Sequence, residues 1–176
     1  MSISIIILKE IEQFQYTNVL RSVQQAADKA GIHCIHIDTD FDDAGAFAYL
    51  EGTLSEADAQ TVQSNYKRGI HTRMCGFSIE PPTDTSYDSF TWLIHRKNYF
   101  WALDLQYLSG DFAFAFQFLS QYFNLKENRR DYVWVDDTEW AYSADEMIWL
   151  SRQPYRPDWH YRKLTAAEWQ ISAENT

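Results

Sequence analysis

The sequence is poor in residues that punctuate or crosslink a chain. Its 176 residues include only six glycines, four prolines and two cysteines. Such scarcity excludes collagen-like, mucin-like and linker-rich chains. Cys34 and Cys75 stand in apolar runs without a CxxC partner, so buried reduced thiols are expected over a disulfide or a metal site. Bases are outnumbered as well, with 15 Lys and Arg against 25 Asp and Glu and a net charge of −10. A general basic surface for nucleic acid or anionic lipid is therefore missing. The opening apolar run ends at Lys9-Glu10, and no stretch approaches the roughly 18 apolar residues that span a bilayer. With neither a secretory leader nor a membrane segment to be read, the expected location is cytoplasmic.

Aromatic residues, by contrast, are plentiful at 16%, with seven tryptophans. Apolar residues make up 45% and charged ones 23%, the balance of an ordinary globular protein. The length fits one α+β domain over residues 1–153, followed by a polar tail at 154–176 that is basic and then mixed.

Residues 2–8, with four isoleucines and a leucine, read as a central strand covered on both faces. Val19, Leu20, Val23, Ala26, Ala27 and Ala30 then mark one face of a helix, with Thr17 or Asn18 as cap and Gly31 as stop. Ile32 to Ile37 reads as a strand running into an acidic loop, Ser55 as the start of a helix ending near Gly69, and His71 to Ile79 as a strand. Alternation through Phe90, Trp92 and Ile94, a turn at Arg96-Lys97-Asn98, and renewed alternation from Tyr99 to Tyr107 predict a hairpin. Phe112 to Phe123 fits both periods; its length and interleaved alanines favour helix. Tyr132 to Val135 makes a last strand, Ser143 with Glu146 a capping box for a helix through Trp149, and one more turn is expected near Thr165 to Gln170. The order predicts a largely antiparallel sheet with helices packed on it.

The acidity is concentrated. No Lys or Arg occurs between Ala30 and Tyr66, where Asp38, Asp40, Asp42, Asp43, Glu51, Glu56 and Asp58 fall. None occurs after Asp131 until Arg152, a stretch holding Asp136, Asp137, Glu139, Asp145 and Glu146. Both blocks include residues just after a predicted strand and would merge into one negative face if those strand ends met. The plain alternative is two solvated loops. Trp140, Trp149 and Tyr142 lie within the second block, where an aromatic ringed by carboxylates can anchor a basic protein; core packing is the competing reading. Trp92, Trp101 and Trp134 are expected in the core.

Other chemistries are less well supplied. Counting Asp40 as position 1 of an EF-hand loop puts Asp42 at 3, Gly45 at 6 and Glu51 at 12, but position 5 is Ala44 and a strand precedes the loop. His33 and His36 lie in a predicted strand, which sends them to opposite faces as hydrogen-bonded structural histidines. There is no Gly-x-Ser-x-Gly elbow and no glycine-rich phosphate loop. No metal, cofactor or catalytic residue is assigned.

Small size, the two acidic blocks at Asp38 to Asp58 and Asp131 to Glu146, aromatic richness and an α+β pattern form a recognisable combination. It resembles the cytoplasmic immunity proteins that Gram-negative bacteria make against contact-dependent and other polymorphic toxins. The likeness covers the whole chain in character and carries no motif. It implies stoichiometric inhibition of a basic toxin domain, such as a nuclease, through Asp38, Asp40, Asp42, Asp43, Asp136, Asp137, Glu139, Trp140 and Tyr142. Two alternatives stand beside it. One is a metal-dependent hydrolase using Asp38 to Asp43; the other is a homo-oligomeric scaffold pairing through the Phe90 to Tyr107 hairpin.

Overall fold

The β-branched opening forms strand β1, Ile5–Glu10, in which Ile5 to Leu8 are all buried. A computed structural model describes residues 3–83, 90–106, 111–136, 138–161 and 163 of the chain. Helix α1, Tyr16–Ala30, buries Val19, Val23, Ala26 and Ala27, the face its spacing predicts. Gly31 ends it in the left-handed region at φ 68°, where a side chain would be strained. The start differs from expectation. Gln15 is the N-cap, without a side-chain cap bond, and Thr17 and Asn18 fall inside the first turn. The helix begins early enough to place Tyr16, whose ring stacks on Phe47 at 4.1 Å.

Strands β2, His33–Phe41, and β3, Phe47–Ser55, form a long hairpin. Helix α2, Ala59–Lys67, leads to β4, Met74–Ile79. A single turn, α3 at Thr91–Ile94, precedes β5, Tyr99–Gln106, and α4, Phe112–Tyr122. Strands β6, Tyr132–Val135, and β7, Ala141–Ser143, are followed by α5, Ala144–Ser151.

The seven strands make one sheet in the order β2-β3-β4-β5-β1-β6-β7, and every neighbouring pair is antiparallel. This is the α+β domain with an antiparallel sheet that the element pattern predicts. One face carries the main core. Ile5, Ile7, Leu50, Leu54, Phe77, Ile79, Leu103 and Leu105 meet side chains of α1, α4 and α5 there. On the other face Ile6 and Leu8 pack with Leu93, Tyr99 and Ala141, and with the half-buried Phe90, Ile94, Tyr132 and Trp134.

Four sequence expectations are corrected. The Phe90 to Tyr107 hairpin does not form: β4 and β1 take both edges of β5, so residues 91–94 coil into α3 and lay Leu93 over Ile6 and Leu8. Tyr107 lies outside the described residues, and a central β5 offers no edge for a second copy. Ser55 ends β3 instead of starting a helix; α2 is capped by Asp58, whose carboxylate accepts from the Thr61 amide at 2.8 Å and its hydroxyl at 3.0 Å. Trp92 is 57% exposed and Trp101 39%, so neither fills the core. The tail begins inside the domain: Trp159 belongs to the main core, His160 is buried and stacked on Phe112 at 3.6 Å, and the Tyr142 hydroxyl donates to the Trp159 carbonyl at 2.6 Å. The expected turn at Thr165 to Gln170 lies outside the described residues. The Ser143–Glu146 capping box is present as read.

Candidate partner-binding face

The segment read as an acidic loop is mostly strand. β2 continues to Phe41, so Asp38 and Asp40 lie within it, two residues apart and on one face. Only Asp42 and Asp43 belong to the turn. The Asp42 carboxylate accepts from the amides of Ala44 at 2.9 Å and Ala46 at 2.8 Å, and Gly45 adopts φ 80°. Asp42 therefore builds the hairpin bend. Among the described residues, no group of three or more His, Cys, Asp or Glu is arranged to hold a metal ion.

Register places the rest. Asp38 pairs with Glu51 and Asp40 with Tyr49, and directly opposed residues share a face. Glu51 pairs in turn with Ser78, and Ser78 with Asp104. Asp38, Glu51, Ser78 and Asp104 thus form one row across four strands, opposite the main core. The Tyr49 hydroxyl donates to Glu51 at 3.0 Å. Asp104 is only 3% exposed; its Oδ2 accepts from Gln106 at 2.6 Å, and its Oδ1 has no partner. Burial pushes its carboxyl up from 3.8 to about 6, aided by Glu80 and Asp136 and opposed by hydrogen bonds from Gln106 and Ser4.

A bulge between Ile35 and Asp38 adds one residue to β2, with His36 at φ 54°. Alternation fails across it, so the opposite-faces argument for His33 and His36 does not hold. Both are exposed, and His36 lines a trough on the same face as Glu51. This trough of about 1370 Å³ is floored by Tyr49, Glu51, Thr53, Gly76 and Gln106 and walled by Val62, Tyr66 and Ile70. At one end Arg73 grips the Asp111 carboxylate with two bonds of 2.6 and 2.9 Å. The Arg73 pairing holds Asp111 below the usual carboxylate range, and Asp111 in turn raises Arg73.

The second acidic block lies elsewhere. β2 and β6 are separated by four intervening strands, and successive antiparallel pairings run them in opposite directions. The residues after β2 and those after β6 therefore sit at opposite ends of the sheet, and the two blocks do not merge. Asp136 is half-buried, with its amide donating to Ser4 at 3.0 Å, and Glu139 is exposed. Asp137 lies outside the described residues. Tyr142 is 1% exposed and Trp140 packs partly buried against the main core. Tyr142 is thus core, not anchor.

Both cysteines are free. Burial raises the Cys34 thiol to about 11 and Cys75 to about 12, so neither has the lowered thiol pKa of a nucleophile. Sequence reasoning missed Tyr49, Thr53 and the α2 wall as site residues. The available signal was the alternation of Leu50, Gly52 and Leu54 with Tyr49, Glu51 and Thr53 after the Asp43-Ala44-Gly45 turn.

The fold and this face define a single-sheet α+β protein with a polar trough and an acidic edge. No family model, no curated protein and no solved structure matches the chain. Among the described residues, no helix is long and apolar enough to cross a membrane.

Proposed function

We propose that the chain is a non-catalytic binding protein that masks a basic surface of a partner protein, in the manner of the immunity proteins it resembles. The supporting observation is the β2–β3 hairpin, which sets Asp38, Asp40 and Glu51 side by side, all exposed, in a stretch without Lys or Arg. Such a face steers a cationic partner and stands where phosphates would lie on a nuclease. Of the two acidic blocks this one carries the reading, because in the other Tyr142 is buried and Trp140 and Trp149 pack partly buried against the main core.

The test begins with tagged full-length protein, cell extract and two salt concentrations, and continues with the captured partner in purified form. Asp38→Lys with Asp40→Lys is expected to lower affinity at least about a hundredfold, mainly through charge reversal, with the thermal midpoint unchanged. Coexpression should protect cells from the partner's toxicity with wild type and fail with this variant. Undiminished binding by the double variant, alongside loss with Asp136→Lys and Asp137→Lys, would move the site to the other end of the sheet and overturn the assignment.

A further inference from the structure

Helix α2 is peculiar among the longer helices in burying none of its side chains. Val62 and Tyr66, one turn apart, and Ile70 just beyond the helix line the trough over the sheet, and Tyr66 is 85% exposed. An apolar wall thus faces a floor of Tyr49, Glu51 and Thr53, with Asp38 beside Glu51 at the outer strand. Arg73 is the one Lys or Arg among the lining residues, and its charge is taken by Asp111.

We propose that this trough seats an arginine-bearing segment of the protein partner, its guanidinium at Glu51 and Asp38 and its stem along Tyr66 and Val62. The inference rests on the masking reading above and names the part of the partner that enters. Charge complementarity selects a cation: Glu51 lines the trough, Asp38 stands opposite it on the neighbouring strand, and the lining Arg73 is already paired with Asp111. Arginine suits the site better than lysine because its planar head stacks on tyrosine and grips a carboxylate through two bonds. The trough is open and, at about 1370 Å³, larger than the roughly 300–1,000 Å³ typical of small-molecule sites, which gives it room for an extended chain segment. Strand addition to β2 is disfavoured, because the bulge at His36 and the charges of Asp38 and Asp40 guard that edge. A second copy paired there would set like carboxylates against each other.

The experiment titrates full-length protein with a short labelled peptide of alternating arginine and valine, its lysine counterpart and its glutamate counterpart, read by fluorescence anisotropy at physiological salt. Saturable binding of the arginine peptide, at least about tenfold tighter than lysine and absent for glutamate, is expected. Thr53→Trp, which fills the floor without altering charge, should abolish it. Tyr66→Ser, on an exposed helix position that cannot disturb the core, should weaken it about tenfold. Asp145→Lys, on α5 across the sheet, should leave it unchanged. Equal binding of the arginine and lysine peptides, indifferent to both trough variants, would overturn the proposal as plain charge attraction. Absence of binding to any peptide would also overturn it. Either result leaves the masking reading standing if Asp38→Lys with Asp40→Lys still costs affinity for the captured partner.

Discussion

Lys9 follows four buried residues in β1 and is itself only 5% exposed. Its ammonium lies 2.9 and 2.7 Å from the two oxygens of Asp131, which also accepts from the Tyr122 hydroxyl at 3.1 Å. Burial pushes the Asp131 carboxyl up to about 6, while Lys9 and Tyr122 hold it lower than burial alone would. Removing one partner strands a buried charge, so Lys9→Met is expected to cost about 3–5 kcal/mol in denaturant unfolding. Lys9→Met with Asp131→Leu should recover most of that loss. Asp104 gives the opposite lesson, a buried carboxyl with no cation against it. Its folded pKa is raised, so between about 4 and 6 the folded state holds the proton more tightly than the unfolded chain. Stability from this group therefore falls as pH rises through that window. Asp104→Asn should remove that slope and stabilise the protein at pH 8 by on the order of 1–2 kcal/mol, measured by thermal midpoints across pH.

Elements differ in how openly the sequence announces them. α1 was legible because helical periodicity is local and it buries one continuous face; α4 fits both periods, and only its length and interleaved alanines favoured helix. β1 was legible from its unbroken apolar run. β3 was not, since its outward residues are Tyr49, Glu51 and Thr53 and its inward row is interrupted by Gly52. That glycine is required: a Cβ there would run into the Phe77 ring. Gly52→Ala should cost about 1–3 kcal/mol by overpacking, and adding Phe77→Leu should restore part of it. The same blind spot hid the candidate site, because without β3 the carboxylates of β2 looked like a loop and Glu51 had no neighbours. β7 has three residues, too few to show a period. Phe90, Trp92 and Ile94 alternate like a strand, but pairing is decided by which edges remain open, a fact residing in distant residues.

Across the whole molecule the sheet separates a dry face from one that is half apolar and half polar, and the tail is recruited to the dry side. Composition alone marked residues 154 onward as polar, and Arg156 does pair with its neighbour Asp158 at 2.8 Å. Yet Trp159 sits 5.3 Å from Phe116 by ring centroids and His160 covers Phe112. A short aromatic cluster in a charged segment gives no periodic signal, so the burial of Trp159 and His160 could be found only from the partners α4 supplies. Burial of Trp159 also orders the chain through the Tyr142 hydroxyl, linking β7, α4 and the tail. If that linkage is part of the core, Trp159→Ala should cost about 3–5 kcal/mol in denaturant unfolding, while Arg156→Ala, exposed beside it, should change stability by under about 1 kcal/mol. A small loss at Trp159 would place the tail outside the folding unit and return the domain boundary to residue 153.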